Sequence, residues 1–137
     1  MSIEITYISS GTTTDLRHLV LRQGRPRSSC QMKGDDLKST KHLGAFIDSK
    51  CVGIISLFHT KTNELPEKES QYQIRGMAVH PEFQRQDIGK SLVAFSEAEL
   101  MKLDVNILWC NARKIAVEFY KKLGYKIISD QFHIPDV

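Results

Sequence analysis

In the stretch His80 to Phe95, HPEFQRQDIGKSLVAF, residues Gln84, Arg85, Gln86 and Lys90 bring hydrogen-bond donors and positive charge to one turn, and Gly89 stands among them without a Cβ. An apolar pattern opens at Ile88: Ile88, Leu92 and Phe95 fall at i, i+4 and i+7, and Ala98 continues the stripe of a helix that reaches about Lys102. The first turn of such a helix leaves backbone N–H groups unpaired, and its dipole favours negative charge there. A phosphate is their natural guest, and a glycine lets it approach the backbone closely. Asp87 is the discordant residue. Two readings stand for this loop: an anion cradle whose acid caps the helix with its side chain turned away from the anion, or a plain helix start capped by Asp87 with solvated neighbours.

Other reactive side chains are scattered. Tyr120 carries a proton at neutral pH, since a phenol titrates near 10, and it lies on the apolar stripe of a helix, where a core role competes with a catalytic one. Asn111 follows an apolar strand, as a cofactor tie or as a helix N-cap. Cys110 fits a small apolar filler on that strand better than an acyl-carrying nucleophile. Glu69, His42 and His80 are the candidate bases, beside a water chain to solvent, and Arg75 faces either an acceptor cleft or solvent. His18, His59 and His133 show no metal-ligand spacing, so no metal is expected.

A strand, IEITYIS, starts the chain, and a helix capped by Thr14 or Asp15 puts Leu16, Leu19 and Val20 on one face before fading by Gly24 or Pro26. Residues 25–41 are polar and irregular, with room for a short second helix, and form the natural lid or acceptor loop. HLGAFID and CVGIISLFHT make a hairpin, split at Asp48, Ser49 and Lys50. YQIRGMAV is the next strand and runs into the donor-rich loop and its helix. VNILWC is a short buried strand. In NARKIAVEFYKKLGY, residues Ala112, Ile115, Ala116, Phe119, Tyr120 and Leu123 share one helical face that Gly124 terminates, and YKIIS is a final strand. The fold class is therefore mixed α/β, an α+β mixed sheet with a largely antiparallel start.

The 137 residues fit a single domain, 1–137, able to bury roughly two-thirds of its unfolded surface. With 41% hydrophobic and 26% charged residues the chain lies far from the disordered class. Its 19 basic and 16 acidic residues leave a charge of only +3, which does not favour nucleic acid. Three cysteines without a CxxC pair support neither a disulfide framework nor zinc, and point to a cytoplasmic setting. No window approaches the roughly 18 apolar residues of a membrane span.

A strand running into Gln84-Arg85-Gln86-Asp87-Ile88-Gly89, Asn111 behind the next strand, and the helix end Phe119-Tyr120-Lys121-Lys122-Leu123-Gly124-Tyr125 together resemble the GNAT superfamily of N-acetyltransferases. That family carries a Q/R-x-x-G-x-G/A loop after its fourth strand, an asparagine after its fifth and an F-Y-x-x-x-G-[FY] helix end. The resemblance covers nearly the whole chain in element order and is strongest from Tyr72 to Tyr125. It implies a GNAT-like fold and acetyl transfer from acetyl-CoA, as co-substrate, to a primary amine of a small molecule or protein. It further implies that backbone amides of Gln84, Arg85, Gln86, Asp87, Ile88, Gly89 and Lys90 hold the pyrophosphate of coenzyme A. Met77, Ala78 and Val79 would offer main-chain groups to the pantetheine arm and thioester, Asn111 would tie down the cofactor or the strand end, and Tyr120 would protonate the departing thiolate.

The sequence departs from the family at two places. Asp87 stands at the first loop glycine, where an exposed carboxylate beside a phosphate costs on the order of 1 kcal/mol; an acyl-coenzyme A binding module without turnover is the competing function. The family also ends in a seventh strand, whereas this sequence stops at FHIPDV soon after the sixth, so the last strand is expected to be missing or very short. An uncovered strand edge favours a homodimer.

Overall fold

The computed structural model describes residues 2–63, 65–112 and 116–127. Five strands form one sheet in the order β1-β2-β3-β4-β5: Glu4–Tyr7, Lys41–Ile47, Lys50–Phe58, Gln71–Val79 and Ile107–Cys110. The first four are antiparallel neighbours, and β5 joins β4 in parallel. The mixed sheet with an antiparallel start is therefore present. The β2–β3 turn is two residues long, and both Asp48 (φ 49°) and Ser49 (φ 68°) take the left-handed conformation that such hairpins need. Lys50 already belongs to β3.

Helix α1 spans Ser10–Leu16 and continues as a π-helical turn over Arg17–Leu21. It begins earlier than Thr14 or Asp15, because Ser9 caps it: its hydroxyl accepts from the Thr12 N–H at 3.2 Å. The wide turn, closed by the Arg22 N–H on the Arg17 carbonyl, also changes the buried face. Leu19, expected inside, is exposed, and Arg17 is buried. Residues Arg27–Cys30 form one 3₁₀ turn in the otherwise irregular connection.

Helix α2, Ile88–Met101, crosses from β4 to β5. Ile88 and Leu92 are buried as expected, but Val93, Ser96 and Leu100 complete the face and Ala98 is exposed. Ile88, Leu92, Val93 and Leu100 pack with Leu43, Ala45, Val52, Ile55, Leu57 and Ile74 into the larger core. Leu16, Ile54 and Ala78 make a smaller core under α1 on the other face. β5 is half-buried rather than buried. Helix α3 is described over Val117–Lys122, and Gly124, at φ 94°, ends it as expected. Tyr125 to Ile127 join no strand, and the rest of the expected YKIIS strand lies outside the described residues, as does Ile115.

Candidate active site

β5 pairs with β4 only from Gln71 to Ile74 and stops at Cys110, while β4 runs on to Val79. Among the described residues no strand accompanies that edge of β4 beyond Ile74. On its other edge β4 carries one extra residue: Arg75 faces Ser56 and Ala78 faces Ile54, so Gly76 and Met77 together oppose Ile55. Gly76 has φ 62°, the left-handed conformation of a bulge glycine. Met77, Ala78 and Val79 thus follow a bulge and border the opening. Ala78 is buried, and the Val79 carbonyl accepts from the Gln84 side-chain amide at 3.1 Å, which ties the loop to the strand end.

His80 ends β4, and its Nδ1 accepts from the Glu82 N–H at 3.1 Å to start the 3₁₀ turn Pro81–Phe83. It is a turn residue. Gln84, Arg85, Gln86 and Asp87 are exposed. Arg85 (φ 66°) and Asp87 (φ 63°) are left-handed while their neighbours are not. Gln84 before them is extended, and left-handed residues in such a turn are one way in which loops aim N–H groups at an anion. Asp87 occupies the N-cap position of α2 but its side chain makes no capping bond, which corrects the expectation that the acid caps the helix. A capping residue holds an extended backbone, and Asp87 instead adopts the conformation for which glycine is best suited and aspartate is among the tolerated substitutes. The first N–H received within the helix is that of Ser91, on the Asp87 carbonyl at 3.0 Å. The amides of Ile88, Gly89 and Lys90 precede it, with the lysine exposed. A Cβ on Gly89 would lie 3.4 Å from the Phe119 ring and 3.9 Å from Val79, so α3, the loop and β4 converge there.

Tyr120, beside Phe119, is 8% exposed and sits edge-on to the rings of Phe119 at 5.1 Å and Tyr125 at 5.5 Å. Burial, then the neighbouring Cys110 sulfur, pushes its phenol well above the usual tyrosine range, so it remains a proton donor. Burial also pushes the Cys110 thiol up to about 11, partly opposed by its hydrogen bond from Tyr120. Little thiolate is then present near neutrality, which disfavours an acyl-cysteine. Asn111 is exposed directly after β5, and residues 113–115, between it and α3, lie outside the described ones.

Of the candidate bases, His80 borders the site as a turn residue, whereas Glu69 and His42 are not brought here. Glu69 accepts a hydrogen bond from Asn106 at the start of β4, roughly 25 Å of extended strand from Met77. His42 is buried elsewhere, in a network that the sequence reading missed. Arg17 Nη1 and Nη2 donate to the two Asp35 carboxylate oxygens at 2.7 and 3.1 Å, and also to the Cys30 carbonyl and the Ser56 hydroxyl, each at 2.9 Å. His42 Nε2 donates to the Asp35 carbonyl at 2.9 Å, so in the neutral ring Nδ1 accepts from the Ser56 hydroxyl at 2.7 Å. Burial works to raise the Asp35 pKa, but hydrogen bonds from Arg17 and the Met32 N–H, with the Arg17 charge, prevail and hold it below the ordinary range. This network fastens residues 30–35 to the sheet beside the bulge. Arg17 Nε is the one buried side-chain polar atom without a partner among the described residues; such a group costs about 1–3 kcal/mol. A Cβ placed on Gly76 would lie 3.3 Å from it. Arg75, the next residue along β4, is exposed with its guanidinium 5.3 Å from the centre of the Phe58 ring.

Residues 26–134 match the acetyltransferase (GNAT) domain family. The chain is 33% identical over 135 residues to the uncharacterized N-acetyltransferase YitI of Bacillus subtilis (strain 168), covering 98% of this chain and 90% of the relative. The fold is similar to that of AAC(6')-Iy in complex with the bisubstrate analog CoA-S-monomethyl-acetylneamine, with a TM-score of 0.80, 15% identity and coverage of 98% and 97% of the two chains. It is also similar to glucosamine-6-phosphate N-acetyltransferase from Arabidopsis thaliana, with a TM-score of 0.72, 14% identity and coverage of 98% of each chain. A sheet that opens beside a donor-rich helix start thus agrees with kinship across nearly the whole sequence, and the chain belongs to the GNAT family as an N-acetyltransferase.

Proposed function

We propose that the acetyl donor is acetyl-coenzyme A and the acceptor a primary amine, joined by direct attack without an acyl-enzyme. The observation that carries this reading is the start of α2 without a side-chain cap, with left-handed Arg85 and Asp87 leading into it, next to the edge of β4 that no strand of the described residues accompanies beyond Ile74. The pyrophosphate is held by backbone amides from Gln84 to Lys90, assisted by the Arg85 and Lys90 charges. The pantetheine arm and thioester lie along Met77, Ala78 and Val79, and Asn111 borders the cofactor beyond β5. The neutral amine attacks the thioester carbon, the carbon–sulfur bond breaks, and the thiolate takes the Tyr120 proton. The spent amine proton leaves to solvent, and Tyr120 regains a proton from solvent before the next turnover. The AAC(6')-Iy analog, which joins coenzyme A to an acetylated amine, supports the choice of co-substrate.

Thermal unfolding with acetyl-coenzyme A, against adenosine diphosphate as a partial ligand, tests the cofactor. At 100 times Kd the full ligand stabilises by about 2.7 kcal/mol, several degrees for a domain of this size. Absence of any shift at millimolar ligand would sink the cofactor assignment. For the acid, Tyr120→Phe is expected to lower kcat about 100-fold or more while the coenzyme A affinity stays near that of the parent. Unchanged kcat with chemistry rate-limiting would remove Tyr120 from the reaction.

A further inference from the structure

We propose that the acetyl acceptor is an amine that also carries a carboxylate, and that this carboxylate docks over Gly76 between Arg17 Nε and the Arg75 guanidinium. The inference rests on the proposed transfer to an amine and adds the chemical class of the acceptor. Four of the five Arg17 N–H donors are used, on Asp35, Cys30 and Ser56. The fifth, on Nε, is buried and unmet. It faces the one position of β4 that has no side chain, where a Cβ would come within 3.3 Å. That place is one bond length from the Gly76 Cα, so a ligand oxygen that accepts from Nε would sit further out, in the space the Met32 side chain now fills.

What now covers the place is the Met32 thioether, whose Cε and Sδ lie 3.1 and 3.6 Å from it. Met32 is half-buried and unbranched, and such a side chain swings aside without disturbing the backbone. Its backbone stays fixed, because the Met32 N–H donates to Asp35 Oδ2 at 2.8 Å. Asp35 neutralises Arg17 from the far side of the guanidinium. Arg75 supplies the net charge: it opposes Ser56 across the β3–β4 ladder, and Ser56 also accepts from Arg17. No carboxylate of the described residues lies within ion-pair distance of Arg75, whose head rests against Phe58. One desolvated donor and one open cation on the same face of the sheet suit a carboxylate, whose two oxygens accept from both. The acceptor amine then lies toward Met77 and Val79, where the thioester is proposed to end.

The full chain with bound coenzyme A is titrated by calorimetry with ω-amino acids from β-alanine to 6-aminohexanoate, each against the alkylamine of the same chain lacking the carboxylate. At least one amino acid is expected to bind roughly tenfold tighter than its matched amine. That preference should fall toward unity in Arg75→Gln and Arg17→Lys and grow in Met32→Ala, which removes the cover. If Arg17→Lys does not fold, the opposite responses of Arg75→Gln and Met32→Ala decide. Equal or weaker binding of every amino acid, or no binding by either series, overturns the inference. A coenzyme A thermal shift on the same preparation separates its failure from failure of the cofactor reading: a shift without carboxylate preference leaves acetyl transfer standing.

Discussion

Asp87 shows how one residue type serves two backbone geometries that a sequence does not separate. Aspartate before an apolar helix reads as a cap, yet φ at Asp87 is 63° and no capping bond forms. Aspartate tolerates this conformation, glycine prefers it, and a residue with a plain Cβ is penalised by about 1 kcal/mol or more. Asp87→Gly is therefore expected to keep or raise both melting temperature and coenzyme A affinity, whereas Asp87→Ala should lower stability by about 1 kcal/mol. Equal melting of the two variants in a thermal scan would contradict the left-handed assignment. Arg17 escaped the sequence reading for a different reason. An arginine at the end of an amphipathic segment is ordinarily solvated, and only the π-helical turn and a carboxylate 18 residues away turn it inward. The burial of Tyr120, by contrast, was legible from its place on an apolar stripe.

At the scale of elements, the start of α2 is seated directly on β3. A Cβ on Gly53 would come 2.8 Å from Ile88 and 3.1 Å from Leu92. Gly53→Ala must push the helix start away, at a cost of about 1–3 kcal/mol, and with it the amides proposed to hold pyrophosphate. Melting and coenzyme A titration should both register the change, and parental values in both would show that the helix is not seated there. The segment 30–35 is fastened just as directly, by the Arg17–Asp35 pair. A carboxylate whose folded pKa is depressed contributes stability that is present above its unfolded pKa, about 3.9, and is lost as pH falls through the folded value. Melts from pH 7 to pH 2 should thus show acid destabilisation that is reduced in Asp35→Asn. At pH 7 Asp35→Ala should cost about 3–5 kcal/mol, since it leaves a buried guanidinium unpaired. Indistinguishable acid profiles would mean that Asp35 is not the titrating group. Strand positions were readable from alternation and the hairpin from its turn residues. The start of α1 was not, because Ser9 and Thr14 are equally good caps by type, and only the fold selects between them.

For the molecule as a whole, element order was the most legible property, since it needs only the period of each apolar run. What the order could not give is how the two faces differ. One carries α2 and α3 over the larger core, and the other carries α1 and the Arg17 network over the smaller. β5 also leaves its outer edge without a strand among the described residues. We propose that a second copy pairs along this edge; light scattering of the full chain at micromolar concentration is then expected to give twice the monomer mass of 15.6 kDa. A monodisperse species at the single-chain mass would refute dimerisation under those conditions.

The extra residue in β4 has one more effect, on which side of the sheet each later residue reports to. Strict alternation would send residues 74 and 77 to opposite sides. Yet Ile74, Met77 and Val79 all pack with the larger core, and Ala78 with the smaller. The bulge acts as a frame shift within the strand. Deleting Gly76 would remove the bulge but not the facing: residues 74, 75, 77, 78 and 79 would then alternate regularly against β3, with Met77 and Val79 still toward α2 and Ala78 still toward α1, so only the local splay of the main chain would be lost.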